Sequence, residues 1–351
     1  MKTFFAFAFA TGLSYFFTFP TIWLAKRFNL VTDRKKRSHP AHTHKGIIPR
    51  GGGLPLIFAF IITVFLFLPV NKIIIGIILA SSLLTFVGLI DDYSDLSPYW
   101  RFFINLIVAG IVISFGVGIP YLSNPFGSTI MLDTWQIPIF FLGHHTIWVW
   151  ADLLAIIWLS WTTNMVNWSK GVDGQLPGFV AIAAIFLGLL AHRFTAHDIT
   201  VETVSILCFI VSGIYLGFLP HNFYPQKIMP GYGGGALAGF LLGVLSILSF
   251  GKLGTIFLIL AIPLTDAVYT ILRRLKNRKS PFRADWGHFH HRLLEIGWGK
   301  RRIAVFYWTL TFILGVASLF SNQLQKLIIF ITVGFLLLVF MLIIEKMKKG
   351  R

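Results

Sequence analysis

The chain is short of cysteine, of acid and of charge altogether. Its single cysteine, Cys208, stands inside an apolar run, which excludes an intrachain disulfide and a cysteine metal cluster. Asp and Glu number 13 against 30 Lys and Arg, and charged residues make up only 12% of the 351 positions. A soluble globular chain carries about 25%. Hydrophobic residues reach 56% and the mean hydropathy is +0.77. Long runs without charge recur, so the composition selects an all-α polytopic membrane protein forming a single domain over residues 1–351. The formal net charge of +17 would suggest nucleic acid in a soluble protein. Here the basic residues flank apolar runs, so no nucleic-acid partner is expected. Residues 1–24 lack the basic start and small-residue cleavage site of a secretion signal and read as a first span.

About eleven spans are expected, near 4–24, 52–70, 73–90, 101–121, 146–166, 176–192, 201–220, 233–250, 253–272, 303–320 and 327–344. With the N-terminus outside, the inner loops and tail collect twenty-five of the 30 Lys and Arg: eight in 25–50, Arg101, Lys170, Lys227, ten in 273–302 and four at the end. Only Lys2, Lys72, Arg193, Lys252 and Lys326 fall outside. This asymmetry puts the C-terminus, and the loops at 25–50, 91–100, 164–178, 221–235 and 273–302 that carry the candidate acids and histidines, in the cytoplasm of a cell inner (plasma) membrane protein.

The stretch 91–96 stands out. Three carboxylates, Asp91, Asp92 and Asp95, follow a span with no charge from 73 to 90. A carboxylate in hydrocarbon costs about 2.5 kcal/mol or more, so these acids mark a helix end at water or a wet cavity. The bland alternative is a solvated helix end. In the first inner loop, Arg34 to Arg37 suit anionic membrane lipid. His39, His42, His44 and Lys45, then Arg50 and the glycines 51–53, suit phosphate, although glycine runs also serve tight helix packing. The outer segment 121–146 reads as a short β-hairpin or a re-entrant loop; His144 and His145 lack further metal ligands and read as surface. Asp152 falls within a span, where it either snorkels outward or finds a neighbour.

The second inner loop is the richest. Asn164 and Asn167 share a helical face; Lys170, Gly171, Asp173, Gly174 and Gly178 follow. A plain connector needs neither two amides nor an acid held between two glycines. The third inner loop breaks at Pro225 and Pro230 and opens the next span on glycines 231 and 233–235, which suit either an anion site or helix packing. Asp266 lies inside the ninth span. The fourth inner loop carries His288, His290, His291 and Arg292; with few cysteines or acids beside them, these suit a diphosphate better than zinc.

DDYSDL at 91–96, NMVNWSKGVDG at 164–174 and HFHHRLL at 288–294, in that order, resemble the polyprenyl-phosphate N-acetylhexosamine-1-phosphate transferases. KSPFRADWGHFHHRLL at 279–294 is more similar to the N-acetylglucosamine branch than to the muramoyl-pentapeptide branch. The resemblance spans nearly the whole chain and implies a reaction: a polyprenyl (undecaprenyl) phosphate attacks the sugar-bearing phosphorus of a UDP-N-acetylhexosamine, and UMP leaves. It further implies that Asp91, Asp92 and Asp173 are catalytic, that Asp92 and Asn167 hold Mg2+, and that Asn164, Asn167, Lys170, Asp173, His288, His290, His291, Arg292 and Arg50 contact substrate. A homodimer is expected from the resemblance alone.

Two departures stand against that pattern. Lys170 occupies the place of the family's first aspartate in N-x-x-N-x-x-D-G-x-D-G. Tyr232 occupies that of the aspartate in M-G-D-x-G-S, which the family uses for magnesium. Three consequences stay open: the Lys170 ammonium replaces part of the metal's charge, or Asp91, Asp92, Asp173 and Asn167 hold a displaced Mg2+, or the chain is a non-catalytic relative that binds nucleotide-sugar or lipid phosphate. A transport role for lipid or ions would rest only on Asp152 and Asp266.

Overall fold

The computed structural model describes residues 1–33, 46–140, 144–193, 199–249, 253–281 and 286–349. Arg34, Lys35, Lys36, Arg37, His39, His42, His44 and Lys45 of the first inner loop lie outside these. Helices α1 (Lys2–Arg27), α2 (Gly53–Phe67), α3 (Lys72–Ser94), α4 (Pro98–Ser114), α5 (Val149–Trp168), α6 (Gln175–His192), α7 (Ile199–Asn222) and α8 (Gly231–Leu248) account for the first eight apolar segments. The ninth divides at Leu260 into α9 (Leu253–Ile259) and α10 (Ala261–Lys276). The short α11 (Phe289–Glu295) precedes the long α12 (Lys300–Phe320) and α13 (Gln323–Lys349). Among the described residues, eight helices are long and apolar enough to cross a membrane, and α2 and α4 are apolar but shorter. The chain is an all-α polytopic membrane protein.

Strands are few. β1 (Val31–Asp33) pairs antiparallel with β2 (Ile47–Pro49). The segment 121–146 holds two antiparallel pairs where one hairpin or a re-entrant loop was expected. These are β3 (Tyr121–Leu122) with β4 (Ile130–Met131), and β5 (Gln136–Phe140) with β6 (His144–Trp148).

Local chemistry sets the helix ends near the acids. Asn71 caps α3, its side chain accepting from the Ile74 amide at 2.9 Å. That helix runs on through Asp91 and Asp92 and stops where Asp95 turns left-handed at φ 50°. Ser97 caps α4 and Pro98 opens it, where a missing amide hydrogen costs nothing. Asp152 lies in the first turn of α5 and accepts from the Trp148 amide at 3.0 Å. The intramembrane acid is thus a cap.

Helix α8 is the hub: every residue from Gly231 to Ile247 is buried. Gly235, Gly239 and Gly243 form a stripe against α5, where a methyl group at 239 would lie 2.2 Å from the Thr162 carbonyl oxygen. On another face α3 crosses α8 backbone to backbone, and a methyl group at Gly88 would sit 2.2 Å from the Gly233 Cα. Small residues let helices approach this closely in lipid, where the contact itself is the driving force. The last helix, α13, is apolar yet little buried against the rest of the chain, as a helix facing lipid would be.

The crossing predicts that Gly88→Ala loses about 1–3 kcal/mol by overpacking. Gly110→Ala is its control, since nothing stands within 4 Å of the added methyl. Thermal unfolding of purified protein in detergent should show a lowered midpoint for the first and none for the second; equal midpoints would contradict the packing described.

Candidate functional site

Asp92 sits 1% exposed near the end of α3, and backbone donors surround it. Its Oδ1 accepts from the Tyr232 amide at 3.0 Å and its Oδ2 from the Gly51 amide at 3.2 Å. Arg50 Nε lies 3.6 Å from Oδ1, and its guanidinium also donates to the Asp92 carbonyl at 3.1 Å and to Asp95 at 2.9 Å. Burial opposes the charge on Arg50, but Asp92 and Asp95 outweigh it and hold its pKa above the ordinary value. Gly231 has φ +69°, and a Cβ there would stand 1.9 Å from Asp92 Oδ2. Only glycine meets both demands. The opening of α8 is therefore occupied by a carboxylate of this chain.

Asp91, 2% exposed, is differently placed. Arg101 reaches its Oδ2 at 3.7 Å, while its Oδ1 is buried without a hydrogen-bond partner among the described residues. Arg101 and Asn105, one turn apart on α4, also frame Tyr232: the Tyr232 hydroxyl donates to Asn105 Oδ1 at 2.9 Å, and the guanidinium lies 5.5 Å from the ring centre. Lys170 lies 5.8 Å from the same ring. Its ammonium donates to Asn167 Oδ1 at 2.7 Å and to the Gly231 carbonyl at 2.6 Å. Burial pushes its pKa down to about 8, against the pull of Asp92 and Asp91.

The next residue joins this cluster to the histidines. A Cβ on Gly171 would lie 1.8 Å from His290 Nε2, so the imidazole rests against glycine backbone. His288 and His290 stack with ring centres 5.7 Å apart, and His291 stacks on Trp286 at 4.0 Å. Asp266 organises the group: its two oxygens accept from the Phe289 amide at 2.8 Å and pair with His288 Nδ1 at 2.9 Å. The second intramembrane acid thus starts α11 and orients an imidazole. His290 is 1% exposed and its Nδ1 has no partner among the described residues.

Other expected residues point elsewhere. The Arg292 guanidinium donates to the carbonyls of Gly287 and Met341, to Glu345 at 3.2 Å and to the Tyr269 hydroxyl. It ties α11 to α10 and α13. Asp173 pairs with Lys300 at 2.9 Å and accepts from the Gln226 amide at 3.4 Å. Asn164 donates to the Ser160 carbonyl of its own helix. Arg101, Asn105, Asp266 and Lys300 were not singled out as site residues from the sequence. The four-residue spacing of Arg101 and Asn105, just after DDYSDL, places both on one helical face and is a signal that would have found that pair.

The Mg2+ expected from the resemblance requires oxygens free to coordinate it. Asp92 is engaged by two amides and Arg50, Asn167 Oδ1 by Lys170, and Asp173 by Lys300 and an amide. Tyr232 presents a ring and a hydroxyl bonded to Asn105. The donor set does not fit a magnesium ion held by Asp92 and Asn167 or displaced onto Asp173; among these residues the one oxygen left open is Asp91 Oδ1, a single carboxylate that would meet an ion only together with substrate phosphates.

Burial drives the His290 pKa well below its ordinary 6.5, and His291 and His288 push the same way. Below about pH 6.5 the unfolded chain binds a proton that the folded chain refuses, so stability falls with falling pH. The thermal midpoint should drop between about pH 7.5 and 5.5, and His290→Gln should flatten that slope. An unchanged slope in the variant would show that His290 is not the group responsible.

Residues 74–250, half of the chain, match the family model described as Glycosyl transferase family 4. The chain is 28% identical over 310 residues to a Bacillus subtilis (strain 168) protein named probable undecaprenyl-phosphate N-acetylglucosaminyl 1-phosphate transferase, covering 86% of this chain and 81% of that one. It is 28% identical over 344 residues to a decaprenyl-phosphate N-acetylglucosaminephosphotransferase of Mycobacterium tuberculosis (strain CDC 1551 / Oshkosh), covering 88% and 80%. A phospho-N-acetylmuramoyl-pentapeptide-transferase of Orientia tsutsugamushi (strain Ikeda) is 25% identical over 325 residues, covering 84% and 85%. The family model takes in the acids of α3, the whole of α5 with Lys170 and the glycine-lined start of α8, and the chain belongs to glycosyl transferase family 4 as a polytopic membrane transferase.

Proposed function

We propose that this transferase moves a sugar-1-phosphate from a UDP-N-acetylhexosamine to a polyprenyl phosphate at the cytoplasmic face of the inner membrane, releasing UMP and starting a cell-envelope glycan. The names of the relatives support the substrate classes, and the asymmetry of Lys and Arg supports the cytoplasmic side. The observation that carries the reading is the pairing of unlike roles at Asp91 and Asp92. One carboxylate is saturated by the protein, and the other keeps a buried, unbonded oxygen beside Arg101.

Phosphoryl transfer asks mainly for positioning and charge neutralisation. Asp91 Oδ1 accepts the proton of the lipid phosphate, whose oxygen then attacks the sugar-bearing phosphorus. The bond from that phosphorus to the bridging oxygen breaks, and UMP departs with the electron pair. Arg101 and Lys170 offset the negative charge on the phosphates, and Arg50 holds Asp92. His290 and His288 offer imidazole N–H groups to the diphosphate, with Asp266 fixing which nitrogen of His288 faces it. Asp173 and Arg292 act by position: one anchors the 223–227 loop and Lys300, the other locks the histidine helix to α13.

Purified protein given undecaprenyl phosphate and a panel of UDP-N-acetylhexosamines should release UMP and yield a lipid diphosphosugar by mass. Asp91→Asn should lower the rate at least about 100-fold by removing the base. Asp266→Asn should lower kcat roughly tenfold or more with little change in KM, since it alters imidazole orientation. The saturation of Asp92 and Asn167 by protein donors favours one competing reading, a non-catalytic relative that binds the nucleotide-sugar. Binding of UDP-sugar with no UMP release from any sugar would establish it.

A further inference from the structure

Lys170 is an unusual group to find at the centre of this site. Its ammonium is held by an amide oxygen and a backbone carbonyl, at 2.7 and 2.6 Å, with Asp91 and Asp92 near enough to act on its charge. Those are oxygen types that would otherwise ligate a divalent ion. A metal drawn to Asn167 Oδ1 and the Gly231 carbonyl would have to displace the ammonium or sit against it. Lysine has three N–H donors, and two are used.

Tyr232 completes the arrangement. Its ring is flanked by Lys170 and Arg101, at 5.8 and 5.5 Å from the centre, and its hydroxyl is pinned to Asn105. Two like charges are thereby held near one aromatic face system without direct contact, each gaining from the ring quadrupole. Together they supply the two positive charges that one divalent ion would bring. The lysine and the tyrosine form one unit: the tyrosine amide holds Asp92, its ring steadies both cations, and the preceding carbonyl, of Gly231, anchors the ammonium.

We propose that the Lys170 ammonium, seated on the Tyr232 ring with Arg101 beyond it, is the resident cation for the substrate diphosphate, so that transfer proceeds without magnesium. This rests on the transferase reading above. Lys170 keeps its proton throughout; the new phosphorus–oxygen bond forms and the old one breaks beside a fixed positive charge.

The test combines metal binding with turnover. Wild-type protein treated with EDTA should release UMP within about twofold of its rate in Mg2+, and Lys170→Met should lose about 100-fold in EDTA. Mn2+ titrated onto the wild type, followed by electron paramagnetic resonance, should show no site tighter than about millimolar. The double variant Lys170→Asp with Tyr232→Asp should gain a site for Mn2+. Collapse of wild-type turnover in EDTA with recovery in Mg2+, or tight Mn2+ binding by the wild type, would overturn the proposal. Absence of UMP release under both conditions would instead defeat the transferase reading. In that case Mn2+ binding, and UDP binding in EDTA by wild type against Lys170→Met, would still decide the role of the lysine.

Discussion

The site depends on Asp92 accepting hydrogen bonds from the Tyr232 amide in the first turn of α8 and from the Gly51 amide. A carboxylate at a helix start is favoured by the unpaired amides and by the helix dipole. Here it joins three chain segments remote in sequence: the end of α3, the strand leading into α2, and α8. The Gly88 and Gly233 crossing lets the backbones come close enough for this bond to form. Arg50, drawn in by the same carboxylate, extends the join to Asp95. With Asp92 taken up in this way, Asp91 is left as the acid with an open oxygen. Two adjacent aspartates thus take different work from their surroundings alone.

Charge balance follows from that arrangement. Arg50, Arg101 and Lys170 gather around Asp91 and Asp92, and Tyr232 stands among them. Arg50 and Arg101 pair with acid and are also held by a carbonyl or a ring, while Lys170 is held by neutral oxygens alone with the acids acting at a distance. Such preorganised charge is most effective where water is scarce. The histidine helix is attached separately, through Asp266 at its start and Arg292 toward α13 and Glu345. It meets the first cluster where His290 lies on Gly171.

Much of the fold was legible because apolar runs of membrane length leave little alternative to helix. Each of the eleven apolar segments is helical, though the ninth breaks at Leu260. Its break is written in Pro263, which has no N–H to give the Ile259 carbonyl four residues back and crowds it; apolar run length alone passed over that signal. The gathering of Arg50, Asp91, Asp92, Lys170 and the histidines was legible from ordered motifs. What each side chain does was less so. Asp152 and Asp266 looked like isolated intramembrane acids, and both turn out to serve helix starts. That removes the feature that had favoured transport. Lys300 and Arg101 were hidden among residues that topology alone explained, because a positive-inside charge and a site cation have the same letter. Arg292 sits in the histidine motif yet bonds away from it, a choice made by α13, far along the chain.

Where the diphosphate binds, and which cation meets it, decides how this site works. The most direct measurement is an experimental structure of the protein with UDP-N-acetylglucosamine bound in the presence of Mg2+. The account predicts phosphate oxygens within hydrogen-bond distance of the Lys170 ammonium, with His290 close by and no metal between lysine and phosphate. A metal ion coordinated by Asp91 and the phosphates with Lys170 turned away, or a nucleotide bound clear of this cluster, would contradict it.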